Sequence, residues 1–204
     1  MYYLFKALLA VFFLVFGRWR VEGRGNVPAR GGVILASNHV SYADPPLLGT
    51  ACPRGVFFMA KKQLFRMPLL EPLLPMIHAF PVRRGRLDRT ALKRALRLLE
   101  RGRVVAIFPE GMRSPNGRLQ TPELGTALVA LMSGAPVVPV ALIGSDRLLP
   151  LNSPLVRPAK IVVRFGPARR FSPGSNGRIS RERLEQAGAE IMSAIRELLP
   201  EEMR

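Results

Sequence analysis

The chain reads as one α/β domain with a mainly parallel or mixed central sheet, flanked by helices and preceded by an apolar helix. Three observations predict this. Short apolar runs alternate with amphipathic helical patterns along most of the sequence, and hairpin turn signals between the runs are sparse. A length of 204 residues accommodates one well-buried core but is short for two, given domains of roughly 100–150 residues at the mode.

Tyr2 to Gly17 is apolar except for Lys6. As a helix it reaches about 24 Å, short of the roughly 30 Å hydrocarbon core of a bilayer. Gly17-Arg18-Trp19-Arg20 follows where a secretory signal would carry small residues. Residues 1–20 are therefore expected to lie in a membrane interface, with Trp19 at headgroup depth and Arg18, Arg20 and Arg24 on the cytoplasmic side, making the protein monotopic or peripheral. Residues 21–204 form the domain proper.

Strands are expected at Gly31–Ser37, Val56–Ala60, Ala79–Val82, Val104–Phe108, Val137–Ile143 and Lys160–Phe165. Asp88 can cap a helix to Arg101 that turns Ala91, Leu92, Ala95, Leu98 and Leu99 inward. Its outer stripe of Arg89, Lys93, Arg97 and Arg101 reads either as a solvated face or as a headgroup contact. Thr121-Pro122-Glu123 is a helix start, with the Thr121 hydroxyl as cap, and Gly134 and Pro136 close that helix. The stretch from Leu124 to Ser145 lacks any charge, but its glycine and prolines divide it into a helix and a buried strand. Ser180 caps a last helix that Pro200 ends, with Ile179 stapled to Leu184. The only loose stretch is Pro173 to Gly177.

Lys and Arg number 31 against 14 Asp and Glu, a net charge of +17. Such a chain is drawn to anionic partners. Residues 83–103 hold nine basic side chains and two acidic ones, yet the aromatics crowd the N-terminus and no nucleic-acid reading module is visible. An anionic membrane surface is the expected partner, and no nucleic acid is expected. One cysteine, Cys52, excludes an internal disulfide and reads as a half-buried thiol; with only His39 and His78 besides, no Cys/His metal site is expected.

Two strings carry the chemistry: Asn38-His39-Val40-Ser41-Tyr42-Ala43-Asp44 and Phe108-Pro109-Glu110-Gly111-Met112-Arg113-Ser114. An imidazole can take a proton near neutral pH if a carboxylate fixes its tautomer and stabilises the cation that forms. His39 and Asp44 are those two groups, with Pro45-Pro46 expected to keep a regular helix from running through the site. Gly111 permits close backbone approach, and Arg113 can donate two parallel bonds to a phosphate. Glu110 is expected to orient that guanidinium, to accept an acceptor hydroxyl, or to form a structural ion pair. No Gly-x-Ser-x-Gly elbow supplies a nucleophile, so the base is expected to act directly.

The pair of strings resembles the glycerolipid acyltransferases, specifically the 1-acylglycerol-3-phosphate acyltransferases. Ala79-Phe80-Pro81-Val82-Arg83-Arg84 and Val137-Val138-Pro139-Val140 resemble that family's second and fourth blocks, so the likeness runs from Val33 to Ile143. Similar proteins often carry an acid where this chain has Arg83. The resemblance implies transfer of an acyl group from an acyl-CoA or acyl-carrier-protein thioester, with no cofactor, to the free hydroxyl of a lysophospholipid such as 1-acyl-glycerol-3-phosphate. It implies His39 and Asp44 as catalytic residues and Glu110, Gly111, Arg113, Arg84 and Lys61 as acceptor contacts. Asn38, Ser41 and Ser114 are expected to add hydrogen bonds there. Leu64–Pro75 is expected to line the acyl groove or face the bilayer. A non-enzymatic binder of nucleic acid or anionic lipid, and a hydrolase using His39 to activate water, are the competing readings.

Overall fold

Seven short strands make one sheet: β1 (Arg20–Glu22), β2 (Val33–Ser37), β3 (Val56–Lys61), β4 (Ala79–Val82), β5 (Val104–Ile107), β6 (Val137–Ile143) and β7 (Val162–Phe165). They are read from a computed structural model that describes residues 2–68, 71–83, 88–151, 153, 155–173 and 178–204. Their order is β1-β7-β6-β2-β5-β3-β4, and every neighbouring pair is parallel except β6 with β7. The sheet is therefore mixed. Five strands run one way, and β7 with β1 runs the other.

Helices cover both faces, which is why the central strands are apolar at successive positions instead of alternating. The helices are α1 (Tyr2–Gly17), α2 (Asp44–Ala51), α3 (Leu73–Met76), α4 (Arg89–Glu100), α5 (Leu124–Ser133), α6 (Ser145–Leu148) and α7 (Arg181–Leu198). Ile34 and Ala36 of β2 point to one face, where Ala91, Ala95 and Leu99 of α4, Ala127 and Ala130 of α5 and Ile191 and Ile195 of α7 are buried. Val33 and Leu35 point to the other, against Phe13 of α1 and Leu47 and Leu48 of α2.

Two helix starts follow the sequence directly. The Asp88 carboxylate accepts the Thr90 and Ala91 N–H groups at 3.0 and 3.1 Å, and the Ser180 hydroxyl accepts that of Arg183 at 3.1 Å. Each satisfies donors that a helix leaves open. α5 departs from expectation: it starts at Leu124, capped by Glu123 without a side-chain bond, and not after Thr121. The cause is tertiary, since the Glu123 N–H donates to Pro109 O at 2.8 Å and holds this segment extended beside the end of β5. α2 is a second correction. It begins at Asp44 and carries Pro45 and Pro46 in its first turn, where a missing N–H costs nothing because that N–H has no partner in any helix. Most of the loose stretch Pro173–Gly177 lies outside the described residues.

α1 is two-sided. Phe13 is 1% exposed, the Tyr2 hydroxyl accepts the Val56 N–H at 3.1 Å, and Lys6 Nζ donates to the Cys52 carbonyl at the C-terminal end of α2. The Tyr2 ring also stacks on His78 at 4.2 Å, which stacks in turn on Phe57 at 4.7 Å. Outward, Leu4, Leu8, Val11, Leu14 and Val15 are each at least 60% exposed. Among the described residues no helix is long and apolar enough to cross a membrane. Two of the expected anchor residues also make contacts within the domain. Trp19 is half-buried against Phe13 at 5.9 Å, and Arg24 Nε caps α2 through Ala51 O at 2.8 Å. Cys52 is fully buried, deeper than expected, and burial pushes its thiol up.

Candidate active site

β6, β2 and β5 are neighbours and parallel, so the chain leaves all three at the same sheet edge, where open α/β folds place their ligands. The loop after β2 brings residues 38–43, the loop after β5 brings residues 108–123, and the turn after β6 brings Gly144 and Ser145. Asn38 turns the first corner with its amide: Nδ2 donates to Leu142 O at 2.9 Å, and Oδ1 accepts the Leu142 N–H at 2.8 Å. Its side chain thus extends the β2–β6 ladder by one rung.

His39 Nδ1 lies 2.8 Å from Asp44 Oδ2. The same oxygen accepts the Val40 and Ser41 N–H groups at 2.7 Å each, and Oδ1 accepts the Ser145 hydroxyl at 2.5 Å. Asp44 is wholly buried at the first turn of α2, where the helix dipole also favours its negative charge. Four donors satisfy the oxygens of this carboxylate away from water. With Nδ1 spent as a donor, the neutral imidazole carries its lone pair on Nε2. The Phe108 ring stacks on the imidazole at 4.1 Å and 20°, which fixes the plane in which Nε2 points.

Glu110, 3% exposed, joins the loops after β2 and β5. Its Oε1 accepts the His39 N–H and its Oε2 the Gln120 N–H, each at 2.9 Å. Burial, opposed by those bonds and helped by the nearby Asp44 charge, lifts its carboxyl from 4.5 to about 7. The expectation that Glu110 steadies an arginine is corrected here: both oxygens go to backbone N–H groups, and no ion pair includes it among the described residues. The Ser114 N–H closes the junction on His39 O at 2.8 Å, and its hydroxyl binds Asn116 at 2.9 Å. Ser41 likewise serves the loop, its hydroxyl donating to Leu149 O at 2.8 Å and accepting the Ala43 N–H at 3.1 Å. Asn38, Ser41, Ser114 and Glu110 therefore spend polar atoms on shaping the site.

Arg113 stands over the Tyr42 ring with 3.5 Å between guanidinium carbon and ring centroid, and its buried Nη1 has no hydrogen-bond partner. Gly111 has φ +69°, a left-handed conformation that any other side chain would strain, and a Cβ there would also force the end of the Glu123 side chain to move. Lys61 ends β3 on the same edge of the sheet, exposed, and its side chain makes no hydrogen bond or ion pair among the described residues. Arg84 lies outside the described residues. A cavity of about 620 Å³ opens beside Phe108, Pro109 and Gly111 and runs between α4 and α5, lined by Met59, Val82, Leu92, Leu128 and Val129. No described residue of Leu64–Pro75 lines this cavity. Among the described residues no cluster of His, Cys, Asp or Glu is placed to hold a metal ion.

The acyltransferase family model matches residues 18–143, a span that includes the His39–Asp44 pair and the Glu110–Ser114 loop. The chain belongs to the acyltransferase family. It is 35% identical over 127 residues to the 1-acyl-sn-glycerol-3-phosphate acyltransferase of Bacillus subtilis, an alignment covering 61% of this chain and 62% of that one. To the chloroplastic 1-acyl-sn-glycerol-3-phosphate acyltransferase of Arabidopsis thaliana it is 33% identical over 141 residues, 68% of this chain and 39% of that one. The chain thus spans less than two thirds of the length of these two relatives. Its fold matches the crystal structure of the 1-acyl-sn-glycerophosphate (LPA) acyltransferase PlsC from Thermotoga maritima with a TM-score of 0.73 and 25% identity, covering 97% of this chain and 79% of that one. For this acyltransferase-family chain, sequence reasoning missed Ser145, Phe108, Tyr42 and Gln120 as parts of the site. Only the order of strands in the sheet, which no local pattern encodes, brings Ser145 to Asp44.

Proposed function

We propose that the protein moves a fatty acyl group from an acyl-CoA or acyl-carrier-protein thioester to the free hydroxyl of a lysophospholipid, foremost 1-acyl-sn-glycerol-3-phosphate, giving phosphatidic acid. The observation that carries this reading is the imidazole held through Nδ1 by buried Asp44, with Nε2 unpaired, next to a guanidinium that has no carboxylate partner and an apolar cavity. His39 Nε2 removes the proton from the acceptor hydroxyl as its oxygen attacks the thioester carbonyl. Asp44 stabilises the imidazolium, which then protonates the departing thiolate as the tetrahedral intermediate collapses. The thioester is already activated, so no covalent acyl-enzyme is required.

Arg113 grips the acceptor phosphate, with Lys61 and Arg84 as further cationic contacts. The cavity between α4 and α5 takes the acyl chain, where each buried CH₂ contributes about 0.8 kcal/mol. α1 lies with its apolar face in the membrane interface, on the cytoplasmic side of the cell membrane, and the excess of basic residues draws the domain to anionic lipid. Lipid mass spectrometry on the purified protein, given a panel of lyso-lipid acceptors and both thioester donors, tests this. New diacylated phospholipid that forms only when acceptor and donor are both present supports it. Free fatty acid accumulating without acceptor would replace it with hydrolysis.

A further inference from the structure

Arg113 raises a question of positioning, because a flexible, half-buried cation is ordinarily held by a carboxylate, and among the described residues none pairs with it. Among the described residues Arg113 forms no ion pair and no hydrogen bond, and its Nη1 is buried with no acceptor. Its one close partner is the face of Tyr42, 3.5 Å away. We propose that Tyr42 is the positioning residue of the anion clamp, using its ring face where a carboxylate would otherwise hold the guanidinium, so that the in-plane N–H donors stay free for the acceptor's phosphate.

The geometry of the two partners gives the reason. A carboxylate binds a guanidinium in its plane and occupies the very donors that a phosphate needs; an aromatic face binds it from above and occupies none of them. Tyr42 is fixed for this task by its neighbours in the chain. Ser41 is tied on one side by its N–H to Asp44 and its hydroxyl to Leu149 O, and Ala43 on the other by its N–H to the Ser41 hydroxyl. The Ser114 N–H on His39 O brings the Arg113 loop alongside. Tyr42 is 56% exposed, so its ring is not there to fill the core. Through it the proton-accepting loop and the anion-binding loop share one support, which sets the distance between hydroxyl and phosphate that the site accepts.

This inference rests on the proposed acyl transfer, and steady-state kinetics with 1-acyl-glycerol-3-phosphate in mixed micelles separates the two. Tyr42→Phe retains the face and is expected to keep the acceptor KM within about twofold, whereas Tyr42→Leu raises it about three- to tenfold with kcat and donor KM little changed. Tyr42→Glu, which places a carboxylate where it can take the donors, raises the acceptor KM further than Tyr42→Leu. An acceptor KM that Arg113→Ala raises but Tyr42→Leu leaves alone overturns the role of Tyr42 while sparing the clamp. If Arg113→Ala also leaves it unchanged, the clamp itself is refuted. A Tyr42→Leu enzyme whose kcat falls at unchanged acceptor KM would likewise overturn the proposal, because the ring would then be serving His39.

Discussion

Glu110 places a carboxyl group in the interior with no ion-pair partner among the described residues. Its oxygens divide between the His39 and Gln120 N–H groups, so it holds the His39 backbone in place. An amide cannot do the same, because its NH₂ would face one of the two N–H groups and leave a buried donor unpaired. Glu110→Gln is therefore expected to lower kcat by about ten- to a hundredfold, the kinetic equivalent of one orphaned buried group, with the acceptor KM little changed. A substrate-contact role would give the opposite pattern. The sign of its pH effect follows from its raised value. The folded protein binds the Glu110 proton more tightly than the unfolded chain, so between pH 4.5 and about 7 this group makes stability fall as pH rises. Thermal unfolding across that range should show a shallower decline in Glu110→Gln.

At the scale of elements, the central strands were legible because three of them, β2, β5 and β6, are buried on both faces, which makes each an apolar run bounded by polar residues or turns. β4 and β6 fall where the sequence puts them, and α4 and α7 begin at the expected caps because a single side chain satisfies their first N–H groups. β1 has only three residues, too few to carry a period, and becomes a strand by pairing with β7. The start of α5 was misread because Glu123 is held by Pro109, a contact remote in sequence. The two motif strings were legible residue by residue, but their junction through Glu110, Ser114 and Ser145 was not, since it depends on β6, β2 and β5 lying side by side. The cavity proposed for the acyl chain was also illegible, because it belongs to a gap between α4 and α5 and not to any one segment. Leu128 lines that gap, so Leu128→Trp should shorten the chain length the enzyme accepts by a few carbons without loss of kcat on short donors, as a panel of acyl thioesters would reveal.

The molecule as a whole sets a net charge of +17 beside an apolar helix face, two features that act on the same surface if the protein docks on anionic membrane. Leu8→Glu together with Val11→Glu changes only exposed positions and should reduce sedimentation with anionic vesicles severalfold at an unchanged melting temperature. Raising the salt toward 1 M, where the Debye length is about 3 Å, should weaken binding of the unaltered protein but not abolish it, because apolar burial survives screening. The sheet edge collects His39, Asp44, Glu110 and Arg113, and one comparison tests directly whether the proposed transfer happens there. The rate of phosphatidic acid formation by His39→Ala should fall by about a hundredfold or more while its fold and vesicle binding match those of the unaltered protein. A well-folded, membrane-bound His39→Ala that transfers acyl chains at the original rate would contradict the account.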